Sequence, residues 1–320
     1  MTNKHMPLNL WPEKARERLM GLQFKPGDYA VFDADNTLWE GDVTESLIMS
    51  LELNQHLRLD ALHPKLLDEA PQKNETILDR YERICQSNVQ EGYVWCVQVL
   101  NGMPLGTVIN ELLSVCRSQK PLQQNGLFGT RVAPKPRPFK AQKQLISWLK
   151  SNGVAVFVVS ASPECLVQAL ACDPMYGFGL KRSSVLGLNM EFITPLGKIW
   201  TPARHRNGLN SNQLFAREEL ASRYTMTLSP PATCFGGKAL AIEKWISSTQ
   251  NPILVAGDSS NDIAMLKKAT QMALHVSKSE KDNQAIDNAL SSGGKPEKML
   301  RVLQKNLLPE TLNFLKYCTE

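Results

Sequence analysis

Residues 29–38 read YAVFDADNTL: four apolar residues run without polar alternation into Asp33 and Asp35, one residue apart, and then Thr37. Such a run predicts a strand buried on both faces, with the two aspartates at its carboxyl end. In an open parallel sheet the connections diverge at that edge and leave a ligand crevice, so a carboxylate there is a candidate nucleophile. The alternating Asp33, Asp35 and Thr37 also suit the start of a calcium loop. That loop needs glycine at its sixth position and a bidentate glutamate at its twelfth, where this chain has Leu38 and Thr44. An aspartate-rich surface turn is the other alternative.

Three further segments place polar residues where elements end or begin. Residues 154–160, VAVFVVS, predict a second buried strand, and Ala161-Ser162-Pro163-Glu164 reads as a helix start with Ser162 as cap. Ser160 then stands at a helix N-terminus, where a hydroxyl and unpaired N–H groups suit phosphate; capping alone is the competing explanation. Residues 252–256, PILVA, predict a third strand, which ends in Gly257-Asp258-Ser259-Ser260-Asn261-Asp262 and runs into the helical pattern Ile263-Ala264-Met265-Leu266. Asp262 in a first helical turn also complements the dipole without any catalytic duty. Gly236-Gly237-Lys238 opens the amphipathic pattern KALAIEKWI. A lysine at a helix start opposes the dipole, which implies a negative charge for it to meet; a solvated surface lysine is the alternative.

Taken together, Asp33, Asp35, Asp258 and Asp262 would repel one another by about 4 kcal/mol per pair at about 4 Å and an effective dielectric of about 20. Lys238 supplies one counter-charge, and a hard divalent cation supplies the rest. Mg2+ is the natural choice, because it keeps waters and takes few protein carboxylates. The chemistry expected is Mg2+-assisted phosphoryl transfer.

DADNT, VVSAS, Lys238 and GDSSND, in that order across the chain, resemble the motifs of the haloacid dehalogenase superfamily of phosphatases. The resemblance implies that Asp33 is the nucleophile, forming an aspartyl-phosphate, and that Asp35 is the general acid and then the base. A dehalogenase would have no use for that second acid. It further implies that Thr37 supports the Asp35 region and the phosphate site, and that Ser160 and Lys238 hold phosphate oxygens. The metal ligands implied are Asp33, the Asp35 region through its carbonyl, and Asp258, with Asp262 either a further metal ligand or the carboxylate that orients Lys238.

The chain has 320 residues, 42% of them apolar, enough for a large core and for two domains. The gap between Thr37 and Ser160 is too long for one crossover, so a second domain is expected between them. VTESLIMSLELNQHL, ETILDRYERICQ and TVINELLSVCRSQ carry apolar residues at helical spacing. The expected architecture is an α/β, Rossmann-like, doubly wound parallel sheet formed by residues 1–40 and 137–320, with a helical cap inserted as residues 41–136. Residues 119–138, with KPLQQNGLFG and PKPRP, read as the returning linker. A helix over 140–151, a hairpin near 189–201, a strand at 272–276 and a helical pattern over 295–315 complete the reading.

A net charge of +5 and a pI of about 8.8, with no basic stripe interleaved with aromatics, discount nucleic acid and favour small anionic phosphoesters. Seven cysteines without a CxxC argue against a disulfide framework, and Cys116, Cys165 and Cys172 read as core residues. Five scattered histidines, with no pair at ligand spacing, argue against a zinc or histidine-based mechanism. The N-terminus lacks a signal-peptide core and no run reaches membrane-spanning length, so a cytoplasmic location is expected. A trimmed form of an exported, periplasmic protein would carry the same sequence.

Within the superfamily the chain is similar to the branch that acts on phosphocholine, in DADNTLWEGDVTESL, GVAVFVVSASPECLVQALACDPMYGFG, NPILVAGD and the cap segments RYERICQ and YVWCVQVLNG. A quaternary ammonium is held by aromatic faces and carboxylates, for which Trp39, Glu45, Tyr81, Glu82, Tyr93 and Trp95 are candidates; packing inside the cap is the competing role. Where that branch has paired acids and consecutive tyrosines, this chain has Thr44 beside Glu45, and Tyr81 between Arg80 and Glu82. Arg80 could instead pair with a substrate carboxylate, as in a phosphoserine-like ester. A phosphotransferase or phosphomutase would use the same intermediate, and a non-catalytic binding protein on this scaffold is the alternative of another class.

Overall fold

The apolar runs ending in aspartate become neighbouring strands of one sheet. The computed structural model describes residues 7–118, 120–202, 214–279, 284–291 and 296–312. Its strands in chain order are β1 (Tyr29–Phe32), β2 (Trp39–Glu40), β3 (Leu122–Gly126), β4 (Gly129–Ala133), β5 (Arg137–Pro138), β6 (Ala155–Pro163), β7 (Val185–Ile193), β8 (Ile199–Trp200), β9 (Arg223–Ser229), β10 (Leu254–Gly257), β11 (Met272–Ser277) and β12 (Met299–Leu303). The first helices are α1 (Glu13–Met20), α2 (Val43–Leu53), α3 (Ile77–Ser87), α4 (Val89–Gln98), α5 (Leu105–Arg117), α6 (Lys140–Ser151) and α7 (Glu164–Ala171).

The main sheet has the order β12-β11-β10-β1-β6-β7-β8, with β9 also on β7. All pairings from β12 to β7 are parallel, and β8 and β9 run antiparallel at the far edge. Strands are added on one side of β1 as far as β9 and on the other side from β10 onward, so the strand order reverses at β1. A crevice opens at the carboxyl edge of such a switch point. The expected doubly wound α/β sheet is therefore present.

Alternation explains why β1 has no polar residue. Ala30 and Phe32 enter one apolar cluster and Tyr29 and Val31 the other, so both faces of the strand are buried. Register follows: Val31 lies beside Val255 of β10 and Phe157 of β6.

Residues 41–136 leave this sheet at β2 and return at β5, and the two short strands pair antiparallel, Trp39 with Pro138 and Glu40 with Arg137. Arg137 Nε donates to Glu40 Oε2 at 2.7 Å across that pair. Helix α2 packs against α3 and α5, and α3 against α4. The start of α3 is fixed by a capping box between Thr76 and Asp79. Helix α4 was not anticipated from periodicity; its start is marked by Asn88, whose side chain accepts from Glu91 N at 3.2 Å.

Three expectations are corrected. Residues 120–138 are more than a linker: β3 and β4 form an antiparallel hairpin that packs on α2. Its strands are polar and glycine-bounded, so they carry no apolar alternation to read; Gln119, also in that stretch, lies outside the described residues. The helical pattern over 295–315 is a strand between short 3-10 turns in its described part. Leu300, Leu303 and Leu307 mimic helical spacing, but Leu300 and Val302 bury on alternate positions as β12 pairs with β11; Lys295 and residues 313–315 lie outside the described residues. Finally, β6 continues through Ser162 to Pro163, and no side chain caps α7, so Ser162 is not a helix cap and Ser160 is not at the helix start.

Among the described residues no helix is long and apolar enough to cross a membrane, and the cysteines are free thiols. Leu254 is fully buried in the centre of the sheet. Leu254→Ala is expected to destabilise the protein by about 2–5 kcal/mol. Urea unfolding should show this as a lower midpoint at unchanged slope.

Candidate active site

The carboxyl ends of β1, β6 and β10 and the start of the helix Gly236–Trp245 face one cavity of about 280 Å³. Asp33 follows β1 directly, and its N–H extends the ladder by donating to Ala256 O at 2.9 Å. This places its carboxylate at the sheet edge, where Lys238 Nζ donates to Asp33 Oδ1 at 2.5 Å. The same ammonium donates to Asp262 Oδ1 at 2.6 Å. Lys238 occupies the third position of its helix and is 1% exposed, so both of these ion pairs are desolvated.

Both oxygens of Asp262 are engaged. Its Oδ2 accepts from Asp258 N at 2.9 Å and Ser259 N at 3.1 Å, folding the turn after β10 around the carboxylate. Gly257 allows this, because a Cβ there would lie 2.5 Å from Asp262 Cβ and 2.6 Å from its Oδ2. Asp33, Asp258 and Asp262 bring carboxylate oxygens within 4.8 Å of one another. This all-oxygen donor set fits a hard divalent cation. Burial, then Asp262, push Asp33 up to about 7 against the pull of Lys238. Burial also raises Asp258 strongly, whereas the carboxylates raise Lys238 and keep it cationic.

Asp35 lies on the wall with both oxygens engaged. Oδ1 accepts from Trp39 Nε1 at 2.8 Å and Val43 N at 2.9 Å, and Oδ2 accepts from Ser162 Oγ at 2.6 Å. Burial, reinforced by Asp42, raises its pKa well above the usual carboxylate range. Ser160 also lines the cavity; its Oγ accepts from Ser162 N at 3.1 Å, which leaves its hydroxyl hydrogen free to donate. Thr37 is fully buried off the wall, and its Oγ1 has no hydrogen-bond partner.

The cap side is formed by Asp42, Thr44 and Glu45 of the α2 start with Tyr81, Tyr93, Cys96 and Val97. Tyr81 and Tyr93 meet edge to face at 6.3 Å, and Tyr93 meets Phe235 at 6.2 Å. Asp42 caps α2 through Oδ1, which accepts from Thr44 N at 2.8 Å and Glu45 N at 2.9 Å. Burial and then Asp42 push Glu45 up to about 7, with Arg131 opposing at 4.0 Å.

Four further candidates from sequence also lie off the wall. Trp39 is buried between Asp35, Tyr176 and Phe178. Trp95 is core, donating from Nε1 to Leu66 O at 2.9 Å. Arg80 is buried against Glu75 at 2.8 Å and Asp68 at 3.0 Å, so its guanidinium is already satisfied. Glu82 pairs with Arg131 of the hairpin. Conversely, Asp42, Ser162, Asn261 and Lys278 reach the wall without having been singled out for it. The Asp42–Glu45 spacing at a helix start was a readable signal. The arrival of Lys278 from beyond β11 depends on sheet order and was not.

No protein-family model matches the chain. A phosphorylcholine phosphatase of Pseudomonas aeruginosa strain PAO1 is 33% identical over 263 residues, covering 78% of this chain and 74% of that protein. A conserved, functionally unknown protein from Anaerococcus prevotii has a solved structure that superposes with TM-score 0.55 at 17% identity, covering 93% of this chain and 94% of the other. A HAD family hydrolase from Salmonella enterica serovar Typhi aligns at 13% identity and TM-score 0.45, over 88% of this chain and 68% of the other, a likeness that carries no weight of its own.

Gly257→Ala is expected to displace Asp262 and, through it, Lys238. A shift of about 1 Å at such a group costs on the order of 100-fold in rate. Steady-state kinetics alongside a thermal melt will separate this loss from unfolding.

Proposed function

The chain belongs to the haloacid dehalogenase family of phosphatases, and from that membership we propose a Mg2+-dependent phosphomonoesterase that works through an aspartyl-phosphate on a small cationic ester, phosphocholine foremost. One observation carries the reading. Lys238 bridges Asp33 and Asp262 at 2.5 Å and 2.6 Å beside Asp258, at the rim of a cavity whose far wall holds Asp42, Glu45, Tyr81 and Tyr93.

Asp33 keeps Oδ1 on Lys238 and attacks phosphorus in line through its other oxygen, forming a phosphorus–oxygen bond as the ester bond breaks. Asp35, whose pKa burial raises well above the usual carboxylate range, gives its proton to the departing alkoxide. As a carboxylate it then takes a proton from the water that hydrolyses the acyl phosphate. Ser160 Oγ and Lys238 Nζ donate to the phosphate oxygens, and Thr37 N donates to Ala34 O at 3.2 Å in the turn that carries Asp35. Asp33, Asp258 and the Asp35 carbonyl are the groups that would hold Mg2+, while Asp262 orients Lys238. When bound, the ion neutralises charge developing on the phosphate and favours ionised Asp33.

For the head group, a quaternary ammonium makes no hydrogen bonds and is matched by aromatic faces and carboxylates. Tyr81, Tyr93, Asp42 and Glu45 offer both, and the relative named phosphorylcholine phosphatase points the same way. A phosphoserine-like substrate lacks its expected partner, because Arg80 is held by Glu75 and Asp68. Transfer to an acceptor other than water would use the same residues, and no observation favours it.

Phosphate release from phosphocholine, phosphoethanolamine, phosphoserine and p-nitrophenyl phosphate, with and without Mg2+, tests the reading. Expected are Mg2+-dependent release strongest on phosphocholine, none from Asp33→Asn, and a KM increase in Tyr81→Ala larger for phosphocholine than for the aryl ester. Activity retained by Asp33→Asn removes the nucleophile, and equal KM effects return Tyr81 to packing.

A pH dependence follows from Asp33 at about 7 in the metal-free protein. Below that value the carboxyl is mostly neutral and a proton competes with the cation; above it the ionised form binds. Calorimetric Mg2+ affinity should therefore be weaker at pH 6 than at pH 8.

A further inference from the structure

The wall of the cavity contains one chain of hydroxyls that the reaction as written leaves unused. Thr44 Oγ1 donates to Ser162 Oγ at 2.7 Å, and Ser162 Oγ donates to Asp35 Oδ2 at 2.6 Å. All three side chains are buried. We propose that Ser162 and Thr44 are positioning residues for proton transfer, a hydroxyl relay that aims Asp35 Oδ2 and ties its position to helix α2. The inference rests on Asp35 acting as the acid and base.

The assignment to one oxygen is geometric. Oδ1 accepts from Trp39 Nε1 and Val43 N, at 2.8 Å and 2.9 Å. Both are N–H groups that only donate, and together they occupy both lone pairs of that oxygen. A transferable proton is therefore left only Oδ2. A hydroxyl both donates and accepts, so Ser162 donates to Oδ2 as a carboxylate and can turn to accept from it as an acid. In the forward step the Oδ2–H bond breaks as an O–H bond forms on the leaving oxygen, which keeps the electron pair of the broken ester bond. In the return step Oδ2 recovers a proton from the attacking water.

Neither hydroxyl has another duty that explains it. Ser162 does not cap the following helix, where Pro163 occupies the cap position without a side-chain bond. Thr44 stands in the first turn of α2, whose cap is Asp42. The groups that hold Asp35 come from β2, from α2 and from β6, so Asp35 is held at the junction between the inserted segment and the sheet. A displacement of α2 would move Thr44 and, through Ser162, the acid. That gives α2 a role in the proton transfer as well as in lining the head-group wall.

The readout is dependence on the leaving group. An alkyl alcohol needs a proton to depart, whereas p-nitrophenolate leaves without one, and kcat/KM reports only the steps through that departure. Ser162→Ala is expected to lower kcat/KM for the fastest alkyl phosphomonoester about tenfold or more beyond its effect on p-nitrophenyl phosphate, a part of the ~100-fold or larger contribution of a positioned acid. Ser162→Thr should restore the ratio, and Thr44→Val should shift it in the same direction by less. Asp35→Asn is the reference. If it loses the alkyl ester selectively while Ser162→Ala and Thr44→Val lose both esters equally or neither, the relay is overturned and Asp35 keeps its role. If Asp35→Asn itself loses both equally, the acid assignment fails and the relay with it. Should Ser162→Ala fail to fold, Thr44→Val makes the same discrimination alone.

Discussion

The site is organised around one buried ammonium shared by two buried carboxylates. Lys238 is held between Asp33 and Asp262 in a place where neither partner is fully hydrated. Desolvating three charges costs more than an exposed pair returns, and the arrangement persists only because other groups complete it. Two backbone N–H groups of the turn after β10 saturate the second oxygen of Asp262. A glycine at the last residue of β10 leaves room for that turn to close. Asp33 and Asp258 remain as the buried carboxylates beside this pair, with oxygens close enough to those of Asp262 to share a cation.

Sheet topology determines which residues share this field. Strands β1 and β10 are adjacent and parallel, with Phe32 beside Ala256, so Asp33 and Asp258 emerge from the same edge. Strand β6 flanks β1 on its other side and brings Ser160 and Ser162 to that edge. The proposed site of phosphate transfer thus occupies the switch point of the sheet, and the inserted segment supplies the opposite wall. The start of helix α2 contributes to both: Asp42 and Glu45 line the cavity, and Thr44 donates to Ser162, which in turn donates to Asp35.

The motif residues were legible because each sits where an uninterrupted apolar run stops. A strand buried on both faces cannot hold a carboxylate in its middle, so Asp33 and Asp258 are conspicuous at its end. Lys238 was legible for the opposite reason, since its charge is wrong for a helix start. The hairpin of β3 and β4 was not legible, because Gln123 and Gln124 give no apolar alternation. Strand β12 was misread because leucines spaced by three and four fit either a helix or, in part, an alternating edge strand. Among the aromatics, composition could not separate the wall residues Tyr81 and Tyr93 from the core residues Trp39 and Trp95.

The amino-acid sequence alone determined the buried strands, the reactive groups at their ends and the family chemistry those groups imply, since local apolar patterning and residue type suffice for each. Only the tertiary structure decided that Arg80 is occupied by Glu75 and Asp68, that Ser162 belongs to Asp35 and not to a helix cap, and that Asp42 and Lys278 reach the cavity. The physical reason is that a side chain's role follows from which partner lies within hydrogen-bond reach, and for residues far apart in the chain that partner is chosen by packing and register.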